Sequence, residues 1–192
     1  VSLKDITNIF NGCSILSSLD LSAIDTRNIK SINNMLKDCT SLVNITFGPD
    51  FKTDNLTELV GVFQNCGSLR MLNIKNWNTD NVQNMSNLFN GCSSLVTLNM
   101  QNFNIPTGCT TSNMFTSTSE LRLINCRNQQ CINALAGALV TSTLGGNIIT
   151  NTTSGITSGS LSTLSNKKWS VTTSPKTYAR YKVDANIVGS DP

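Results

Sequence analysis

One short phrase occurs five times in this chain and fixes the spacing of everything around it. Phe10-Asn-Gly-Cys13-Ser recurs as Leu36-Lys-Asp-Cys39-Thr, Phe63-Gln-Asn-Cys66-Gly and Phe89-Asn-Gly-Cys92-Ser. A fifth copy, Phe115-Thr-Ser-Thr118-Ser, carries Thr in the cysteine position. The steps are 26, 27, 26 and 26 residues. After each copy comes an apolar pattern of the form L-x-x-L-x-L. It reads Leu16, Leu19, Leu21; Leu42, Ile45, Phe47; Leu69, Leu72, Ile74; Leu95, Leu98, Met100; and Leu121, Ile124, Cys126. Alternation at its last two apolar positions predicts a short strand with one buried face. A further apolar residue follows at Ile24, Trp77 and Phe103, and at Phe51 one residue later, which accounts for the longer step.

Next in each unit is a Thr, at positions 26, 53 and 79, followed by apolar residues at helix-like spacing. The sets are Ile29, Ile32, Leu36; Leu56, Leu59, Val62, Phe63; and Val82, Met85, Leu88, Phe89. Thr is a competent N-cap, so this pattern predicts a short helix in each unit, ended by Asn/Gly chemistry. A strand-turn-helix-turn unit of this size cannot bury its apolar side alone, whereas stacked units form a continuous core. The expected fold is therefore α/β. It is a right-handed leucine-rich-repeat solenoid of about seven turns, with a parallel sheet on one face and short helices on the other.

Residues 1–126 hold the regular repeats. Over 127–173 the pattern degenerates: a helical stripe at Ile132, Leu135, Ala136 and Leu139, a strand at 147–150, a short helix around Leu161 and Leu164, and a strand at 169–173. These read as closing repeats, and residues 174–192 as a cap extension or tail. Tyr178 and Tyr181 lie in that tail, as a strand covering the last repeat or an interaction arm for an assembly partner.

Composition bears on function. Charged residues are 13% of the chain and His is absent, which removes the usual general base and the commonest metal ligand. The formal net charge of +3 is carried by the last 30 residues, leaving the repeats balanced rather than forming the basic stripe of a nucleic-acid binder. No apolar run approaches the length of a transmembrane helix, so no direct membrane insertion is expected. No catalytic group, metal site or cofactor is expected. Cys13, Cys39, Cys66 and Cys92 should form a column of buried thiols. Cys109, Cys126 and Cys131 stay open, with a Cys126–Cys131 or Cys109–Cys131 bridge among the alternatives, and an odd count of seven leaves at least one thiol over.

The outward strand positions are Asp20, Thr46, Asn73, Asn99 and Asn125, flanked by Met71, Lys75, Gln101, Leu123 and Arg127. They form the candidate binding face, rich in amides and hydroxyls, with Met71 and Leu123 as apolar anchors. The competing reading is a solvated face whose amide rows stabilise the stack.

The pattern Phe-x-x-Cys-x-x-Leu-x-x-Leu-x-Leu, followed by Phe/Trp-x-Thr-x-Asn-Val-x-x-Met, resembles the BspA-like class of leucine-rich repeats. Asn84-Met-Ser-Asn-Leu-Phe-Asn-Gly-Cys-Ser-Ser-Leu95 matches that class closely. Asn166-Lys-Lys-Trp-Ser-Val-Thr172 looks like its closing segment. The resemblance spans residues 6–126 and, more loosely, 131–173. Thr118 in place of Cys, and Pro106-Thr-Gly-Cys109 where a helix start is expected, depart from it. Members occur on bacterial surfaces, in protists and in phage genomes, and are linked to adhesion. The resemblance thus implies a non-enzymatic recognition module that binds a host protein or glycan, on a cell surface or a virion. The alternative is a structural or assembly component of a virion or larger surface protein.

Overall fold

The computed structural model describes residues 4–151 and 153–173. It is α/β, with parallel sheets. Five short strands come first: β1 (Ser18–Leu21), β2 (Asn44–Phe47), β3 (Met71–Asn73), β4 (Thr97–Asn99) and β5 (Leu123–Asn125). Then come α1 (Gln129–Ala138), β6 (Gly146–Thr150), α2 (Ser158–Asn166) and β7 (Trp169–Thr173). The cap or tail expected at 174–192, with Tyr178 and Tyr181, lies outside the described residues.

Every strand pair is parallel and in register with the repeat. Leu19 pairs with Ile45, and Leu72, Leu98, Ile124, Ile148 and Val171 follow one another across β3 to β7. The ladder is interrupted once. β1 and β2 form one sheet and β3 to β7 another, with no pairing between β2 and β3 among the described residues. The break falls in the unit with the extra residue. There Phe47, Phe51, Phe63 and Trp77 gather with ring centroids 4.6–6.3 Å apart, filling the wider gap with large apolar side chains.

The helices expected opposite the strands in the regular repeats are absent. Each of those stretches is a run of tight turns, and the described helices are α1 and α2 alone. The reason is local backbone chemistry. Each unit holds two left-handed residues four apart: Asn8 and Gly12, Asn34 and Asp38, Gly61 and Asn65, Asn87 and Gly91, Asn113 and Ser117. Left-handed φ cannot continue a right-handed helix, and Asn, Asp and Gly tolerate it best. The freed amides turn to the next unit instead. Asn34, Leu36 and Asp38 donate to the carbonyls of Val60, Val62 and Gln64 at 2.8–3.0 Å. Met85, Asn87, Phe89 and Gly91 do the same to Thr110, Ser112, Met114 and Thr116 at 2.7–3.0 Å. A second, polar ladder thus runs along the side opposite the strands, and it crosses the break between β2 and β3.

Thr26, Thr53 and Thr79 do not cap helices either. All three are buried, and each hydroxyl donates across to the next unit, at the carbonyls of Lys52, Asn78 and Asn104 (2.7, 2.7 and 2.6 Å). The Asn104 N–H returns a bond to Thr79 Oγ1 at 2.8 Å, and the Lys52 N–H does so to Thr26 Oγ1. At Thr26 and Thr79 one buried hydroxyl thus both donates and accepts, satisfying its own hydrogen-bonding groups.

Between the two ladders lies one core. Leu42, Leu69, Leu95 and Leu121 occupy equivalent places, as do Trp77 and Phe103, all at 2% exposure or less. Fully burying each such side chain contributes about 1.5–3 kcal/mol.

True helices begin where the left-handed pairs end. Asn128 caps α1, its side chain accepting from the amides of Gln130 and Cys131 (2.9 and 3.2 Å), and Thr157 caps α2. Lys167 then donates its ammonium to the carbonyls of Ala136, Gly137 and Leu139 at 2.7–3.2 Å, covering the C-terminal end of α1. The indole of Trp169 donates to the Val140 carbonyl at 3.0 Å, so Asn166-Lys-Lys-Trp locks the two closing units together.

Candidate functional site

Alternation along β3, β4 and β5 turns Leu72, Leu98 and Ile124 inward, so their neighbours face the other way. Pairing lines these neighbours into two rows. Met71, Thr97, Leu123 and Asn147 form one, and Asn73, Asn99 and Asn125 the other. Lys75, Gln101 and Arg127 continue the pattern just past the strand ends, where the Arg127 N–H donates to the Gln101 carbonyl at 3.2 Å. These eight candidate residues therefore share one side of the five-stranded sheet or its margin. Asp20 and Thr46, both exposed, pair with each other on the two-stranded sheet. They are separated from the rest by the break after β2.

Exposure grades along the face. Asn73 and Arg127 are exposed, while Met71, Lys75, Asn99, Gln101, Leu123 and Asn125 are half-buried. Met71 and Leu123 thus present part of their apolar surface between polar neighbours, a pattern suited to contact with a partner that also offers hydrogen-bonding groups.

Two of the polar residues also serve the backbone. Asp20 Oδ1 accepts the Ser22 N–H at 2.8 Å, and Asn73 Oδ1 accepts the Lys75 N–H at 3.2 Å. Each turns the chain as it leaves its strand. The same bond, with a further contribution from the Ser22 side chain, holds the Asp20 carboxyl below the usual range.

The cysteine column is packed and hydrogen-bonded. Cys39, Cys66 and Cys92 donate their thiols to the carbonyls of Phe10, Leu36 and Phe63 in the preceding unit, at 3.1, 3.2 and 3.0 Å. Thr118 keeps a hydroxyl in that column but donates within its own unit, to the Phe115 carbonyl at 2.7 Å. Burial pushes the thiols up, to about 11 for Cys39 and about 12 for Cys92, and Cys66 rises further. Such thiols are poor nucleophiles. All seven cysteines are unbridged, including Cys126 and Cys131, whose thiols meet in the core and push the Cys131 thiol upward together with its burial.

Sequence reasoning passed over a groove of 440 Å³ between Pro106-Thr-Gly-Cys109 and α1. It lies where the repeat departs from its pattern. Several of its polar groups are engaged: Gln130 Nε2 donates to Thr107 Oγ1 at 3.2 Å, Asn133 Nδ2 donates to the Gly155 carbonyl at 3.1 Å, and Asn133 Oδ1 accepts the Thr157 N–H at 3.0 Å. Among the described residues no group of three or more His, Cys, Asp and Glu is placed to hold a metal ion. No helix there is long and apolar enough to cross a membrane.

No curated protein and no solved structure matches the chain. A family model does match, over residues 4–127, the stretch that carries the regular repeats and the two-row face up to Arg127. That span is well over half of the sequence, and the chain belongs to the family described as Mycoplasma protein of unknown function, DUF285.

Proposed function

We propose that this chain is a right-handed leucine-rich-repeat solenoid acting as a non-enzymatic recognition module, which binds a protein or glycan through the outward face of β3 to β5. One observation supports this reading above the others. The Met71–Thr97–Leu123 row lies beside the Asn73–Asn99–Asn125 row in strict register. Small apolar anchors beside a line of amides complement a ligand that carries both a hydrophobic patch and hydroxyl or amide groups, such as a sugar ring or a protein loop. Low charge fits recognition by short-range hydrogen bonds more than by electrostatic steering. The proposed setting, a cell surface or a virion, rests on the resemblance to BspA-like repeats.

The triple variant Met71→Lys, Asn73→Lys, Asn99→Lys tests the face. Its circular-dichroism spectrum should stay close to that of the parent, because none of the three lines the core, with a modest fall in melting temperature from loss of the bond between the Lys75 N–H and Asn73 Oδ1. Binding to host cells, or to the sugars or proteins that the parent retains on an array, should fall at least tenfold. Undiminished binding by the folded variant would overturn the reading.

A further inference from the structure

Two cysteines converge where the regular repeats give way to helices. Cys126 follows β5, at the place that earlier units fill with Leu21, Phe47, Ile74 and Met100. Its N–H donates to the Ile149 carbonyl at 3.0 Å, which holds its backbone to β6. Its thiol turns inward and donates to the Asn128 carbonyl at 3.7 Å. That carbonyl also accepts the Ile132 N–H at 3.0 Å, the first bond of α1. The Cys126 sulfur therefore lies against the first turn of α1. Cys131 belongs to that turn, its N–H held by Asn128 Oδ1 at 3.2 Å. With Ile132, Leu135 and Ala136 it forms the buried side of the helix. Both cysteines are at 0% exposure, and burial, followed by contact with the Cys126 thiol, pushes the Cys131 thiol upward.

The other thiols are arranged differently. Cys39, Cys66 and Cys92 stand on successive copies of one position and point the same way, each bonded to a carbonyl of the preceding unit. Cys109 is half-buried in the groove beside α1, where its sulfur meets the Thr110 carbonyl at 3.8 Å and the backbone at Met85. Cys126 and Cys131 instead approach each other from two different elements, a strand end and a helix, with four residues between them. Side chains that meet in this way suit a disulfide better than side chains running parallel along a stack.

We propose that Cys126 and Cys131 form a redox-sensitive staple, open as a dithiol and closed to a disulfide by a small external disulfide such as oxidised glutathione. The reaction is two exchanges. One cysteine thiolate attacks a sulfur of the reagent, forming a mixed disulfide and expelling one glutathione thiolate. The second cysteine thiolate attacks the protein sulfur, closing the Cys126–Cys131 bond and expelling the other glutathione. The two cysteine protons end on the two glutathione thiols, and the two electrons that the cysteines lose reduce the reagent. Burial shields both thiols in the closed fold, so the first attack comes when the first turn of α1 lifts from the core. The bond then fastens that turn to the end of β5, joining the last regular unit to the closing units.

Arg127 makes the pair readable. Trypsin cuts after Arg122, Arg127 and Lys167, so Cys126 falls in Leu123–Arg127 and Cys131 in Asn128–Lys167, each the lone cysteine of its peptide. The complete chain, without denaturant, is held overnight in a mixture of oxidised and reduced glutathione. Free thiols are blocked with N-ethylmaleimide before digestion. The two peptides should emerge as one species that reduction separates, in Cys109→Ser as in the parent. In the oxidised chain the Ile132 amide should exchange with deuterium at least about tenfold more slowly than in the reduced chain. Cys126→Ser and Cys131→Ala, each folded by circular dichroism, should abolish that difference. Separate blocking groups or glutathione on the two peptides, a bond from Cys131 to Cys109, or bonded chains that exchange like reduced ones would overturn the proposal.

Discussion

Cys66 occupies a place where a small apolar side chain must also offer a donor. Its thiol fills the core and donates a hydrogen bond to the Leu36 carbonyl, which also accepts the Cys39 N–H. Ala would fill the space less well and Ser would bring a more strongly hydrated hydroxyl into an apolar column. A pH dependence follows. Thiolate formation in the fold is opposed by burial, so Cys39 and Cys92 move from an ordinary 9.0 to about 11 and about 12, and Cys66 moves the same way. The unfolded chain releases these protons near pH 9, where the folded chain still holds them. Above that pH the unfolded state binds fewer protons, and stability falls as pH rises, by at most about 1.4 kcal/mol per pH unit for each thiol. Below it this contribution is fully present. Lys and Tyr titrate in the same range, so the comparison must be with Cys39→Ala, Cys66→Ala, Cys92→Ala combined. The parent should be the more stable at about pH 8, and its advantage should shrink toward about pH 10.5. An advantage that is constant across that range, under reducing conditions, would contradict the assignment.

The turn stretches are the elements that sequence periodicity misjudged. Ile29, Ile32, Leu36 and Leu56, Leu59, Val62, Phe63 are all buried, so the inward-facing set was legible; only the backbone that presents them was not. Apolar spacing of three and four is met equally by a helix and by successive turns of about three residues each. The deciding signal was present in Asn8, Asn34, Asn87 and Asn113, weak helix formers placed mid-stretch with φ of 54–59°. Thr26 and Thr79 misled for a related reason: a Thr before an apolar run marks a helix start only if the backbone after it is helical. By contrast, α1 and α2 were legible, because Asn128 and Thr157 cap segments free of left-handed residues. The face itself followed from alternation alone, but the separation of Asp20 and Thr46 from Asn73 depends on a strand gap that no local pattern announces. Position 87 discriminates between the two backbones. In a helix Asn87→Ala would stabilise; here it forces Ala into the left-handed region and removes the Oδ1 that accepts from Asn90 at 3.0 Å. It should destabilise by about 1–2 kcal/mol in urea denaturation, while Asn87→Gly costs less. A rise in midpoint for the Ala variant would restore the helix.

At the scale of the whole molecule, stability is close to a sum over neighbouring units, so it need not be uniform along the chain. Two ladders and a core hold most units together. Between the second and third units one of these is missing, since β2 and β3 do not pair. What remains there includes the turn ladder from Asn34, Leu36 and Asp38, the Cys66 thiol on the Leu36 carbonyl, the Thr53 clamp, side-chain bonds such as Asn65 to Asp38 and Asn78 to Asp54, and the aromatic cluster. Aromatic contact is less directional than a strand ladder, and within the cluster the buried Trp77 Nε1 finds no acceptor among the described residues. Past this point five strands pair without interruption to β7, where Lys167 and Trp169 fasten the closing units. The break should therefore act as a boundary of local unfolding. Native-state hydrogen exchange in low denaturant should show the amides of Phe10, Gly12, Asn34 and Leu36 opening together, at lower free energy than those of Phe63, Phe89 and Gly91. Phe47→Ala, which removes the ring that joins Phe51, Phe63 and Trp77, should lower the first group by about 2–4 kcal/mol and leave the second nearly unchanged. If all of these amides instead exchanged at one common free energy, before and after that substitution, the repeats would unfold as a single block and the gap between β2 and β3 would have no energetic meaning.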